Sequence, residues 1–331
     1  MLFTDNQLQH LTEALSQSHD VWAFDGRTLS REHLQQRNAT AIFLRSVTPI
    51  NVDLLDGTAV QFVGSATAGI DHVDIDYVRS RNITFASAPG CNANAVAEYV
   101  MDWIDELQIA PTAIIGIVGF GHIGKLVAKY ARSYGMHVLI SDPPLQDSQY
   151  VFPHWCSVVP LAQLMETSDI ITLHVPFTDR GLHPTLNLIP AELLHACRPG
   201  ALIINAARGG LIDERHLADL VSSARMNAVL DVFVNEPNID PYVVERIPHL
   251  TPHVAGYTVQ AKEKAMAMVY EAFTGSPWTQ QTQTDAQPLS TVIAPLPHLN
   301  HTNFDDVRRL TPLRREQRTP PTWEELDVLD P

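Results

Sequence analysis

Three glycines at fixed spacing, Gly119, Gly121 and Gly124, stand between two apolar runs, residues 113–118 and 136–140. The second run ends at Ser141 and Asp142, and residues 125–131 between the runs place apolar side chains at helical spacing. The order is strand, glycine turn, helix, strand, acid. Glycines permit a tight turn and let the backbone approach a pyrophosphate; amides at the helix start then hold the anion. The acid after the second strand can hydrogen-bond the adenosine ribose. We therefore expect Gly119, Gly121, His122, Ile123 and Gly124 to contact a dinucleotide. A carboxylate at Asp142 would accept from ribose hydroxyls and repel a 2′-phosphate, so NAD is expected rather than NADP.

The 331 residues suffice for about two domains, and a hydrophobic content of 45% permits substantial cores. The formal charge of −15 argues against nucleic acid and anionic membranes as partners. Cys91, Cys156 and Cys197 form no CxxC pair, so neither a disulfide framework nor a structural metal is expected, and a reducing cytoplasm fits. The first residues are mixed polar, without the pattern of a signal peptide, and no apolar run is long enough to span a bilayer.

Before the glycine turn, residues 21–24, 41–44, 60–63 and 83–85 read as short strands, with helical stretches such as 7–15 between them. Such alternation implies a parallel sheet covered by helices. A break at residues 88–92 precedes a helix through Val96, Val100, Trp103 and Leu107, with Asn92 or Asn94 as its cap. Later strands are expected at 170–173, 201–204 and 228–230, with Pro190 opening a helix over 191–196. A last helix, 259–273, can cross back to the first domain. The expected fold is α/β: two Rossmann- and flavodoxin-like parallel-sheet domains with an active-site cleft between them, plus a short C-terminal appendage. The boundaries are 1–91 with 257–278 for a discontinuous substrate domain, and 92–256 for the dinucleotide domain. Residues 279–331, rich in proline, form a linker and appendage.

Three chemistry-bearing residues follow strands of the dinucleotide domain: Arg208, Glu236 and His253. Arginine offers a fixed fork to a substrate carboxylate and to the oxygen on C2. Histidine can take a hydroxyl proton as hydride leaves, since its pKa lies near working pH. Glutamate can hold the other ring nitrogen. Together they suit hydride transfer from a 2-hydroxy acid to a nicotinamide.

Residues 119–124, 205–210, 231–237 and 251–256 resemble the D-isomer-specific 2-hydroxyacid dehydrogenases, whose catalytic Arg, Glu and His match Arg208, Glu236 and His253. Residues 44–48, 64–74, 88–93 and 141–144, with Tyr257, resemble a narrower branch of that family. That resemblance implies NAD-dependent oxidation of 4-phospho-D-erythronate to (R)-3-hydroxy-2-oxo-4-phosphobutanoate, a step towards pyridoxal 5′-phosphate. It implies a phosphorylated 2-hydroxy acid as partner, with Arg45, Ser46, Thr67 and Tyr257 at the substrate. It adds Val175, Ala206, Asp231 and Gly256 to Asp142 at the cofactor, with Val175 standing where the family pattern can carry Thr. It also implies a homodimer, although the C-terminal dimerisation-like region looks shortened. Another D-2-hydroxyacid dehydrogenase, of glycerate or phosphoglycerate type, and an NAD-responsive regulatory protein stay open at this point.

Overall fold

The computed structural model describes residues 1–279, 299, 303–311 and 314–327. The linker and appendage expected over 279–331 therefore lie partly outside the described residues. The chain divides into two compact units, residues 1–92 with 259–285 and residues 93–258 with 286–331.

Five strands build the sheet of the first unit: β1 Leu2–Asp5, β2 Val21–Phe24, β3 Ala41–Leu44, β4 Phe62–Ser65 and β5 Thr84–Ala86. They lie in the order β2-β1-β3-β4-β5, every pair parallel. All four residues of β3 are buried, as a central parallel strand covered on both faces requires. Strand β1 escapes the sequence pattern because it ends in Thr4 and Asp5, yet both are fully buried. The helix Val259–Thr274 seats Met266 and Val269 against Leu2, Phe43 and Phe62 of this sheet.

Seven strands build the second unit: β6 Ile114–Val118, β7 His137–Ser141, β8 Cys156–Val158, β9 Ile170–Leu173, β10 Leu202–Asn205, β11 Asn227–Leu230 and β12 His249–Leu250. Their order is β12-β11-β10-β9-β6-β7-β8, again all parallel. The chain steps outward from β6 to β8, then returns to β9 on the other side of β6. Loops leaving β6 and β9 therefore diverge, opening a crevice at the carboxyl ends of the strands. Alternate residues serve two cores, as the strand period demands. Ile203, Ala228 and Leu230 join one, while Leu202, Ile204 and Val229 join the other. Near the C-terminus, the helix Phe304–Leu310 places Phe304 and Val307 in the first of these cores, and Trp323 packs against the second.

The α/β class with two parallel sheets, expected from the sequence, is the one the chain adopts. Among the described residues no helix is long and apolar enough to cross a membrane.

Candidate active site

Strand β6 ends at Val118, and the helix His122–Ser133 starts after Gly121. Gly119 sits at φ +93°, where side chains are strained, and an added Cβ would lie 2.6 Å from the His174 carbonyl oxygen. A Cβ on Gly124 would lie 2.0 Å from the Gly119 carbonyl oxygen, so the helix packs onto the turn only because that atom is missing. At Gly121 a Cβ would meet nothing within 4 Å. The turn is thus closed at two glycines and open at the middle one.

A cavity of about 610 Å³ borders this open side, lined among others by Gly119, Gly121, His122, Lys125, Asp142 and Val175. Asp142 is fixed at its edge. Its Oδ2 accepts from the Phe120 N–H at 2.7 Å, and its Oδ1 accepts from the Leu145 N–H at 2.9 Å, capping the helix Pro143–Asp147. Each oxygen keeps a second lone pair for another donor. An open glycine, a helix N-terminus and a braced acid fit a dinucleotide.

The carboxyl ends of β10, β11 and β12 lie side by side, with Asn205 paired to Leu230 and Leu230 to Leu250. Arg208, Glu236 and His253 leave from these three ends. The His253 Nδ1 lies 2.8 Å from Glu236 Oε2, while Glu236 Oε1 accepts from the Phe233 N–H at 2.8 Å. His253 is a non-glycine residue in the left-handed region, φ 56°, and its N–H donates to the Asp231 carbonyl at 2.8 Å. Arg208 donates from Nη1 to the Ala207 carbonyl at 2.7 Å, and the Asn205 amide holds the Arg208 carbonyl at 2.8 Å. Gly209 lets two of the loops touch: a Cβ there would lie 2.1 Å from the carbonyl carbon and oxygen of Phe233.

Two buried acids, one of them outside the sequence reading, organise these loops. Glu214, the first residue of the helix Glu214–Ser222, accepts from the Val234 N–H at 3.0 Å and from the Gly210 main chain. Burial, aided by the nearby charges of Glu236 and Asp240, raises its pKa to about 7. Asp231 is fully buried. Its Oδ1 accepts from the Thr251 hydroxyl at 2.6 Å and the Val254 N–H at 2.8 Å, and its Oδ2 from the Ala255 N–H at 2.9 Å. Burial raises its pKa, with His253 and these hydrogen bonds opposing the rise.

The first unit carries its own polar cluster at the ends of β3 and β4. The buried Asp5 carboxylate lies 3.1 Å from Arg45 Nε, and Ser46 is exposed beside it in sequence. Thr67 donates its hydroxyl hydrogen to the Gly69 carbonyl at 2.8 Å. Ser65 Oγ lies 2.7 Å from Thr67 Oγ1 and 2.9 Å from His72 Nε2. Burial lowers the His72 pKa to about 4, which leaves the ring neutral at pH 7.

Gly119, Gly121, His122, Asp142 and Val175 come together at the cavity; Ile123, Gly124, Ala206, Asp231 and Gly256 are outside its lining. Ile123 packs against the core, Gly124 against the turn, and Asp231 against the loop 251–255. Arg45, Ser46 and Thr67 belong to the first unit and Tyr257 to the second. Sequence reasoning missed Asp5, His72, Lys125 and Glu214. An acid three to six residues past an arginine-glycine-glycine string was a signal for Glu214, but only burial distinguishes it from a solvated helix start.

Residues 104–255 match the family described as D-isomer specific 2-hydroxyacid dehydrogenase, NAD binding domain. The erythronate-4-phosphate dehydrogenase of Hydrogenovibrio crunogenus is 39% identical over 278 residues, covering 82% of this chain and 71% of the relative. That of Yersinia pestis is 35% identical over 310 residues, covering 91% of this chain and 79% of the relative. Among solved structures, a D-lactate dehydrogenase from Aquifex aeolicus, complexed with NAD and lactic acid, superposes with a TM-score of 0.68. Its identity is 21%, with 83% of this chain and 95% of that one covered, so it speaks for the fold.

Proposed function

The chain belongs to the erythronate-4-phosphate dehydrogenases, within the D-isomer-specific 2-hydroxyacid dehydrogenases, and on that premise we infer how its residues divide the work. It oxidises 4-phospho-D-erythronate to (R)-3-hydroxy-2-oxo-4-phosphobutanoate with NAD. Bound NAD supplies the acceptor for the hydride that leaves C2. His253 takes the C2 hydroxyl proton on Nε2 as the carbon–oxygen double bond forms, because its Nδ1 is held by Glu236 at 2.8 Å. Glu236 fixes the tautomer and balances the imidazolium. Arg208 binds the substrate carboxylate and the C2 oxygen. Arg45, Ser46, Thr67 and Tyr257 supply donors to the phosphate end and its neighbouring hydroxyl. Thr67 must turn its hydroxyl away from Gly69 to do so.

On the cofactor side, Gly121 and the start of the helix His122–Ser133 receive the pyrophosphate, Asp142 the adenosine ribose, and Val175 an apolar face. The resemblance would add Ala206 and Gly256 to the residues that hold the cofactor, beyond the lining of the cavity. Asp231 acts there indirectly, by holding residues 251–255. The same reading makes the protein a cytoplasmic homodimer on the route to pyridoxal 5′-phosphate, and light scattering of the purified chain tests the dimer.

The observation that carries the catalytic assignment is the His253–Glu236 pair at the aligned ends of β10, β11 and β12. The test follows NADH absorbance with 4-phospho-D-erythronate and with erythronate, for the wild type and His253→Ala. We expect the phosphorylated acid to be strongly preferred and His253→Ala to lose about 1,000-fold in kcat. Equal efficiency on both acids sinks the phosphate assignment. Undiminished turnover by His253→Ala sinks the acid/base assignment. Tight NAD binding without turnover of either acid favours a regulatory protein.

A further inference from the structure

We propose that Arg314 and Glu316 are positioning residues for the acid/base His253: they lock the main chain that follows it to the start of the helix Ala93–Glu106. This rests on the dehydrogenase reading for its catalytic consequence, while the lock itself is read from geometry alone.

The loop after His253 is gripped from two sides. Asp231 takes the N–H groups of Val254 and Ala255. From the other side, Arg314 Nη2 donates to the Ala255 carbonyl and, at 3.2 Å, to the carbonyl of Ala95. The Ala255 peptide unit is thereby held at both its N–H and its C=O. The Arg314 main-chain N–H donates to the Tyr257 carbonyl at 3.2 Å, closing a bridge between Thr258 and Arg314. Glu316 extends the tie: Oε1 accepts from the Thr258 hydroxyl at 3.0 Å, and Oε2 from the Asn94 amide at 2.9 Å. Asn94 and Thr258 lie next to two of the points, 92/93 and 258/259, where the chain passes from one unit to the other. Glu98 anchors the segment by accepting from the N–H groups of Gln317 and Arg318.

Arg314 is 2% exposed, and burial pushes its pKa down against the opposing charges of Asp102, Asp231 and Glu98. A buried cation is a poor source of net stability, because desolvation offsets most of its attractions. What a planar fork does well is fix two acceptors relative to each other. Here the acceptors are the helix start and the main chain two residues beyond His253. That histidine keeps a left-handed backbone, which persists only where the surroundings over-determine it.

The test compares full-length wild type with Arg314→Met, Arg314→Lys and Glu316→Ala. It reads kcat on 4-phospho-D-erythronate, NAD affinity, melting temperature, and hydrogen exchange at the Val254 and Ala255 amides. Misplacing a reacting group by about 1 Å costs roughly 100-fold, so Arg314→Met is expected to lose about that in kcat and Glu316→Ala about tenfold. NAD affinity should fall by less than about fivefold, because the glycine turn and Asp142 are not touched and only Gly256 of the cofactor side lies in the locked segment. Arg314→Lys should recover only part of the loss, since a point charge cannot reach both carbonyls. The two amides should exchange faster in every variant. Wild-type kcat and unchanged exchange in a folded Arg314→Met overturn the proposal; if that variant does not fold, the same result in Glu316→Ala does so. A parallel fall of kcat, NAD affinity and melting temperature marks a merely structural strap and also overturns it. Faster exchange in the variants of a wild type that turns over no substrate supports the lock and sinks the catalytic reading of His253 instead.

Discussion

The glycine turn and the strand-end site sit on one sheet, yet they are held in opposite ways. The turn at residues 119–124 owes its shape to missing atoms. Two of its glycines have no room for a Cβ, and the obstructing atoms are His174 and Gly119 carbonyl oxygens. The site of Arg208, Glu236 and His253 owes its shape to added polar groups. Glu214, Asp231 and Arg314 are buried, and each accepts from or donates to the main chain of a neighbouring loop. A cofactor that recurs in every turnover can be met by a rigid backbone. An acid/base pair must be aimed to fractions of an ångström, and buried polar groups aim it by leaving few alternative arrangements.

Gly209 is where the two strategies meet, and breaking it should have the largest effect. Its absent Cβ allows the Arg208 loop to rest on the Phe233 carbonyl, which precedes Glu236. Gly209→Ala forces those loops apart. We expect about 3 kcal/mol of lost stability from the forced repacking. We also expect a kcat loss of at least about 100-fold. Urea unfolding and NADH-coupled turnover measure both. A variant with wild-type kcat would mean that the Arg208 and Glu236 loops need no mutual registry.

Glu214 offers the next largest effect and a pH signature. Its folded pKa, about 7, is raised above the reference of 4.5 by burial first. The folded protein therefore binds a proton more tightly than the unfolded chain. The stability this group contributes is full below pH 4.5 and is lost as pH rises towards 7. Glu214→Gln keeps the acceptor oxygen for the Val234 N–H and removes the titration. The wild type minus variant difference in unfolding free energy should thus fall by on the order of 2 kcal/mol across that window. A flat difference would place the carboxyl in a wetter setting than its 8% exposure implies.

This contrast also explains what the sequence could and could not convey. The glycine spacing, the helical stretch after it and Asp142 are contiguous, so the turn and its cofactor class were legible at once. Arg208, Glu236 and His253 could be named as candidates because each follows an apolar strand. Strand β1 was not legible, since Thr4 and Asp5 look solvated until Thr12 pairs with the first and Arg45 and the Gly26 loop cover the second. The groups that brace the site were hidden by separation. Asp231 lies 24 residues from Ala255, and Arg314 lies 59 from it. No local period reports such a pairing. Asp231 shows the limit most directly: the family resemblance implied a cofactor contact there, and its carboxylate is taken up by three internal donors.

A substitution at Gly121 sharpens the comparison from the cofactor side. Its Cβ would meet no protein atom within 4 Å, so Gly121→Ala should melt like the wild type. The methyl group would instead stand where the proposed reading puts the pyrophosphate. NAD affinity should fall about tenfold, roughly 1.4 kcal/mol. Fluorescence titration and a thermal melt separate the two effects. A folded variant that binds NAD normally would show that the open side of the turn does not face the cofactor.

The smallest expected effect is at Asp142, where both strategies act on one residue. Its carboxylate accepts two main-chain hydrogen bonds, from Phe120 and Leu145, and so braces the turn as Asp231 braces the acid/base loop. Asparagine can present oxygen to only one of those donors. The other then faces an NH2 group, a mismatch that should cost about 1 kcal/mol. Losing the charge also removes the repulsion of a 2′-phosphate, so the preference for NAD over NADP should shrink by about fivefold, roughly 1 kcal/mol. The two consequences are separable because the first appears in urea unfolding without cofactor and the second only in the ratio of kcat/KM values. Lost stability with an unchanged NAD-to-NADP ratio would make Asp142 a brace alone, and cofactor choice would then have to come from another side chain lining the cavity.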